Sequence, residues 1–347
     1  MIPIAFPNGL GSLPNMLLIA GDIGGTNARL TLFEVEGHTF DILEEETYRS
    51  QEYASLEVIL EDFQKRTKSV DVMGFGVAGP VINGAVNITN LPYKISRQSI
   101  AQITSTPFVY LINDLAANAY GLASLQAEDL LELHPGNREF KGNAALISPG
   151  TGLGEAGMFW DGEAYHPFAT EGGHTDYAPE TEEDIGLLRF LQNKYGHVSW
   201  ERVVSGRGIL EIYEFLVSHY EKEIDETLAQ KLEKNQSAAV ISEAAAAGDA
   251  LAHETMQIFL RNLANEAANV VMKLNAFGGL FIGGGILPKN LHLIEEDDFV
   301  KYFLEAGRMG PLLSEVTIQV ILNDKAALMG AAHFAAYSAR IHLNSPS

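Results

Sequence analysis

Asp22, Gly24, Gly25, Thr26 and Asn27 stand between two apolar runs, residues 17–20 and 30–33. Adjacent glycines permit φ > 0 and let another group approach the backbone, so Gly24-Gly25 reads as a tight turn joining two strands. A turn of free N–H groups followed by a hydroxyl and an amide can cradle a phosphate. Asp22, just before the turn, is placed to hold Mg²⁺ through water. The same residues also fit an ordinary hairpin with no ligand. Gly150, Thr151 and Gly152 repeat the arrangement, between a strand at 144–147 and another at 155–159. Two such turns in equivalent places point to an internally duplicated fold whose halves face one ligand.

Other residues suit proton transfer and polar recognition. A strand at 108–112 ends in Asn113-Asp114, and a helix-forming run follows at 115–123. A carboxylate at the C-terminal end of a core strand is a usual place for chemistry in α/β folds, although an acid there can also cap the helix. In Glu171-Gly172-Gly173-His174, two glycines separate an acid from an imidazole, which suggests side chains turned toward a small ligand. The alternative is a loop histidine bonded to the backbone. A zinc site is not supported, because no cysteine exists and no histidine lies at metal spacing. Glu201, within Ser199-Trp200-Glu201-Arg202-Val203, reads by itself as a solvated or ion-paired acid. Gly283, Gly284 and Gly285 follow an apolar strand at 280–282. They remove side chains where something flat and bulky lies against the backbone, and an adenosine is the natural candidate.

Some motifs fail on context. Gly74, Gly76 and Gly79 spell the dinucleotide fingerprint, but Pro80, Val81 and Ile82 follow where a helix must open. Asn83-Gly84 instead marks a hairpin turn. His253-Glu254 begins like a zinc-protease helix, but Gln257 occupies the place of the second histidine. No Walker A pattern occurs, so a phosphate site here is not of P-loop type.

The elements that must position these residues alternate between strand and helix. Leu56, Ile59, Leu60 and Phe63 share one helix face within 53–67, and residues 182–195 are amphipathic. Ser96 is the N-cap of a short helix to about residue 103. Residues 237–277 are alanine-rich and helical, with a break at Gly248-Asp249. A late strand at 316–322 leads to a small-residue helix from 325 to 337. At 347 residues the chain suits two domains or one bilobal fold. The net charge of −22 makes nucleic acid and anionic membranes unsuitable partners, and no apolar run reaches the roughly 20 residues of a membrane helix. The absence of cysteine excludes disulfides and a cysteine nucleophile and fits a reducing compartment. Residues 1–15, with three prolines and two glycines, read as a loose extension before a fold that starts near Met16.

Taken in order, the stretches at Asp22–Asn27, Asn113-Asp114, Gly150–Gly154, Glu171–His174, Ser199–Val203 and Gly283–Gly285 resemble the bacterial glucokinases of the actin-like ATPase and hexokinase superfamily. The resemblance runs from about Leu17 to the last helix. It implies two α/β domains of ribonuclease H-like fold with ATP and sugar in the cleft between them. The domains it implies are 16–112 with 323–347, and 113–322, after the extension 1–15. It further implies transfer of phosphate from ATP to glucose, with Asp114 as base and Asn113, Asp114, Glu171, His174 and Glu201 as partners of the sugar hydroxyls. Gly24–Asn27 and Gly150–Gly152 correspond to the two phosphate loops, Gly283–Gly285 to the adenosine contact, and Asp22 to the Mg²⁺ site. A cytoplasmic homodimer is expected. Ser148-Pro149 departs from the family's more flexible run before the second turn, which bears on nucleotide affinity. The missing cysteines place the chain in the zinc-free branch. A non-enzymatic sugar sensor, a kinase for another hexose, and an acetate or polyphosphate kinase are the competing readings.

Overall fold

The computed structural model describes residues 2–67, 69–88, 91, 93–220, 225–294 and 296–343, without the side chains of 296 and 297. Thr89, Asn90 and Pro92 lie outside the described residues. By internal contacts the chain forms two compact units, Met1–Asp129 with Met158–Ala169 and Asn323–Ser347, and Leu130–Gly157 with Thr170–Leu322.

The first unit is built on β1 (Leu13–Ile23), β2 (Asn27–Gly37) and β3 (Thr39–Arg49), then α1 (Leu56–Gln64) and β4 (Val72–Val77). A hairpin of β5 (Ala85–Asn87) and β6 (Lys94–Ser96) leads to α2 (Arg97–Thr104), β7 (Phe108–Asn113) and α3 (Asp114–Gly121). The sheet order is β3-β2-β1-β4-β7, with β1, β4 and β7 parallel. The expected helix face is buried: Leu56, Ile59, Leu60 and Phe63 pack with Ile19, Leu30 and Phe75. Burial of this kind stabilises at about 25 cal/mol per Å² of apolar surface. Ser55 caps α1 through the Val58 N–H, and Ser96 caps α2.

The second sheet begins with β8 (Leu130–His134), β9 (Ala144–Pro149), β10 (Leu153–Trp160) and β11 (Tyr165–Thr170), of which Met158–Ala169 belongs to the first unit. Five helices follow: α4 (Glu182–Tyr195), α5 (Gly206–Tyr220), α6 (Glu226–Lys234), α7 (Ala238–Ala246) and α8 (Ala250–Leu274). The second unit closes with β12 (Gly279–Ile282), α9 (Glu296–Leu304), α10 (Gly310–Leu313) and β13 (Ile318–Ile321), and α11 (Ala326–Leu343) returns to the first unit. The sheet order is β11-β10-β9-β12-β13-β8, with β9, β12 and β13 parallel. Three strands in reverse order followed by two parallel ones thus occur in both sheets, the duplication expected from the two glycine turns. Trp200, Phe215, Phe259, Leu263 and Ile282 belong to the second core. Gly248, at φ +93, separates α7 from α8, and Asp249 caps α8.

Two placements differ from the sequence reading. Residues 1–15 are not a loose extension. Ile4 bridges to Tyr165, with Ala5 N–H to Tyr165 O and Tyr165 N–H to Pro3 O both at 2.8 Å. Phe6 stacks on Tyr337 at 4.7 Å, and both Ile4 and Phe6 are buried. A lone β-bridge and an aromatic contact leave no periodicity in a Pro- and Gly-rich run, so the pattern is silent there. The first unit also continues past residue 112 to Asp129. The reason is packing: a Cβ on Gly330 would collide with the Ala117 carbonyl, and one on Gly121 with that of Ala326, so α3 and α11 touch backbone to backbone. Gly74 serves the same purpose, since a Cβ there would meet Ala335 and Ala331 of α11. Two glycines of the apparent fingerprint, Gly74 and Gly76, lie within β4.

Candidate active site

In the first unit, parallel register sets Ile23, Val77 and Asn113 side by side. The Gly24–Thr26 turn, the Gly79 loop and Asp114 therefore emerge from one edge of the sheet, where open α/β sheets bind ligands. The turn is a tight hairpin, closed by Gly24 N–H to Asn27 O at 2.9 Å. Its carbonyls are taken from behind: Ser50 Oγ donates to Gly24 O at 2.9 Å and Ser50 N–H to Thr26 O at 2.9 Å. Among the described residues no acceptor meets the Gly25 or Thr26 N–H, and Thr26 and Asn27 are exposed. These donors suit an anion. Asp22 is half-buried opposite Arg29 in the β1–β2 register. Burial raises its pKa and Arg29 opposes that shift, so a cation beside it would favour its charged form.

Ser50 is the residue that sequence reading missed here. It sits 24 positions after Thr26 and no local pattern marks it. Ser50→Ala removes one neutral hydrogen bond, worth about 1 kcal/mol, so an anion held by the turn should bind about fivefold more weakly. Titration of the variant with nucleotide and inorganic phosphate, by calorimetry, checks this.

At the end of β7 the two polar residues divide their work. Asn113 is the cap of α3: its Oδ1 accepts from Leu115 N–H at 2.9 Å and Ala116 N–H at 3.1 Å. Its Nδ2 donates to Gly79 O at 3.2 Å, which ties the strand end to the loop after β4. Asp114 is therefore not the capping residue. It is the first residue of α3, half-buried, with Oδ1 accepting Leu115 N–H at 3.0 Å.

In the second unit, Ile147 and Ile282 are paired in parallel register, so the turn at 150–152 and the glycines at 283–285 leave the same sheet edge. Gly150 N–H bonds Gly152 O and Gly206 N–H bonds Gly150 O, both at 2.8 Å. Glu201, on a 3-10 turn (Trp200–Arg202), is half-buried and reaches back to the turn at 150–152. Its Oε2 accepts Leu153 N–H at 3.0 Å and lies over Gly152, where a Cβ would collide with it. Gly284 is also explained by the protein itself: at φ +79 it lies against the Pro149 carbonyl, with no room for a Cβ. Gly285 is exposed.

Glu171 and His174 flank a 3-10 turn (Gly172–His174) closed by His174 N–H to Glu171 O at 3.1 Å. The spacing of three puts both side chains on one side, with His174 Nε2 3.9 Å from Glu171 Oε2. Both are more than half exposed, at 62% and 55%, so neither is consumed by the fold. The two glycines between them are dictated from below. A Cβ on Gly172 would strike the Glu155 carboxyl and one on Gly173 the Leu153 carbonyl. Thr175 O accepts Trp200 N–H at 3.1 Å, which joins this turn to the one that carries Glu201. Acid, imidazole and acid thus gather beside the turn at 150–152, a set of paired acceptors and donors suited to a polyol.

A family model described as Glucokinase matches residues 19–338. A glucokinase of Trichormus variabilis is 38% identical over 338 residues, covering 92% of this chain and 99% of that protein. The crystal structure of a glucokinase from an Antarctic psychrotroph is similar at 30% identity and a TM-score of 0.75, covering 91% of this chain and 98% of that one. The glucokinase of Balamuthia mandrillaris in complex with glucose shares the fold at 21% identity and a TM-score of 0.77, covering 93% and 94% of the two chains. The two-unit α/β architecture with its repeated sheets is the actin-like ATPase fold, and by the match across nearly its whole length this chain belongs to the glucokinase family.

Proposed function

We propose that the chain transfers the γ-phosphoryl group of ATP to the hydroxymethyl oxygen of glucose, giving glucose 6-phosphate and ADP. The role of Asp114 is supported by its position: it is the first residue of α3, at the end of β7 and beside Asn113, which is the residue that caps the helix. A helix N-terminus favours negative charge, and a carboxylate so held can take the hydroxyl proton as the phosphoryl group arrives. The proton passes to Asp114 and the oxygen–phosphorus bond forms as the bond to ADP breaks. Glu171, His174, Glu201 and Asn113 orient the sugar hydroxyls, the first two through exposed side chains on one turn. Glu201 and Asn113 already hold backbone groups of their own units, so they act chiefly by fixing loops and contribute remaining lone pairs or N–H groups to the sugar.

The N–H groups of Gly25 and Thr26 and the turn at 150–152 receive the phosphates, and Gly283 and Gly285 admit the adenosine. Asp22 fits a Mg²⁺ ion, being a carboxyl desolvated beside the phosphate turn; such ions are commonly held by one or two carboxylates plus water and substrate phosphates. When bound, the ion neutralises charge on the transferring phosphates. A cytoplasmic homodimer completes the reading, supported in the first part by the cysteine-free composition; light scattering reads the second. A coupled ADP-release assay with excess Mg²⁺ tests the whole, across glucose, mannose, fructose and N-acetylglucosamine. Glucose-dependent release is expected, and its absence from folded protein overturns the proposal.

A further inference from the structure

Beneath the Glu171–His174 turn lies a pair of carboxyls that phosphoryl transfer does not use. Glu155, on β10, is 4% exposed, and Glu266, on α8, is fully buried. Glu266 is held by Lys273 Nζ at 3.0 Å and by Asn269 Nδ2 at 3.0 Å. One half-exposed ammonium therefore serves two buried carboxyls. Glu155 Oε1 meets no hydrogen-bond partner, and its Oε2 lies against Gly172. The backbone of the same strand is bound to the turn as well. Thr170 Oγ1 donates to Glu155 O at 3.1 Å, and Gly172 N–H donates to Thr170 Oγ1 at 3.2 Å.

Two adjacent carboxyls in a low-dielectric interior cannot both ionise cheaply, and one retains a proton. Burial, then the charge of Glu266, pushes Glu155 up to about 8 against the pull of Lys273. Glu266 is raised by burial but held back by Lys273 and Asn269. The pair therefore favours holding one proton, with Glu155 the more strongly raised of the two.

We infer that Glu155 and Glu266 are positioning residues for the sugar: the buried Glu155 carboxyl, packed directly beneath Gly172 on the strand that Thr170 ties to the turn, sets Glu171 and His174 in place. The inference rests on the reading of those two residues as sugar contacts. The charged groups that face Glu155 are Glu266 and Lys273 from α8, while the turn presents the Gly172 backbone and the Thr170 hydroxyl. Removing the proton leaves two carboxylates against one ammonium. Glu155 must then move away from Glu266, and the group in its path is Gly172.

The raised pKa also has a sign for stability. The folded state holds a proton that the unfolded chain has released above its ordinary carboxyl pKa. The stability from this group is full below that value and is lost as the pH rises through about 8.

The test is the pH profile of glucose kinetics for the wild type, Glu155→Gln and Glu266→Gln. In the wild type, the KM for glucose should rise about 10- to 30-fold between about pH 7 and pH 9.5, while kcat and the KM for ATP stay within about twofold. Glu155→Gln keeps a donor that cannot ionise, so its KM should stay flat over that range, near the wild-type neutral value. Glu266→Gln removes the repulsion and should flatten the profile as well, which keeps the test available if Glu155→Gln does not fold. The melting temperature of each variant, relative to wild type, should climb with pH. A wild-type profile without the rise, or variants that retain it, overturns the inference. Absence of glucose phosphorylation at neutral pH overturns instead the sugar reading on which it rests.

Discussion

Asp114→Asn is expected to lower kcat by about 10²–10⁴-fold, the usual worth of a positioned base. Glucose should still bind within about tenfold, because asparagine preserves the shape and most hydrogen bonds. The substitution is informative because the competing structural role is already occupied. Asn113 Oδ1 accepts two N–H groups at the start of α3, and Asp114 Oδ1 accepts Leu115 N–H at 3.0 Å. Asparagine is in any case as good a residue as aspartate at a helix start, so the melting temperature should barely move. Three measurements on this one variant, kcat, glucose affinity and melting temperature, separate chemistry from architecture. Near-normal kcat would remove Asp114 from the mechanism.

The second large effect belongs to the turn between β11 and α4. Glu171→Ala and His174→Ala should each raise the KM for glucose by about 10- to 150-fold, since a hydrogen bond to a charged group is worth roughly 1.5–3 kcal/mol. The KM for ATP should change little. Both side chains are exposed and neither supports the fold: the turn is closed by backbone atoms, and its anchors are Thr170, Thr175 and Gly172. Stability should therefore stay within about 0.5 kcal/mol of wild type, as for ordinary surface substitutions. Substitutions that weaken ATP and glucose equally, or that lower the melting temperature by many degrees, would show that the turn is scaffold rather than sugar contact.

Much of this protein is legible in local pattern. The two glycine turns stand out because each is flanked by apolar runs, and a hairpin turn is decided by residues next to one another. The face of α1, the cap at Ser96 and the break at Gly248-Asp249 follow from periodicity and from side chains that bond N–H groups two or three positions on. β8 carries no such punctuation, and the pattern does not mark it. The placement of Asp114 at a strand end was equally visible, because the strand 108–112 is apolar and stops abruptly.

What the tertiary structure alone decided are partnerships across long stretches of chain. Ser50 braces the first turn because β2 and β3 pair in one register, and Glu201 reaches Leu153 N–H from 48 residues away. Gly284 is glycine because Pro149 O lies against it, and Gly172 because Glu155 does. Ile4 joins the first unit through its bridge to Tyr165, and Phe6 through ring contacts with Tyr120, His333 and Tyr337. Residue type and spacing can indicate that a carboxylate is available for chemistry. Which backbone group it meets, and whether burial raises its pKa as it does for Glu155, depends on burial and register, and these exist only once distant strands and helices have packed.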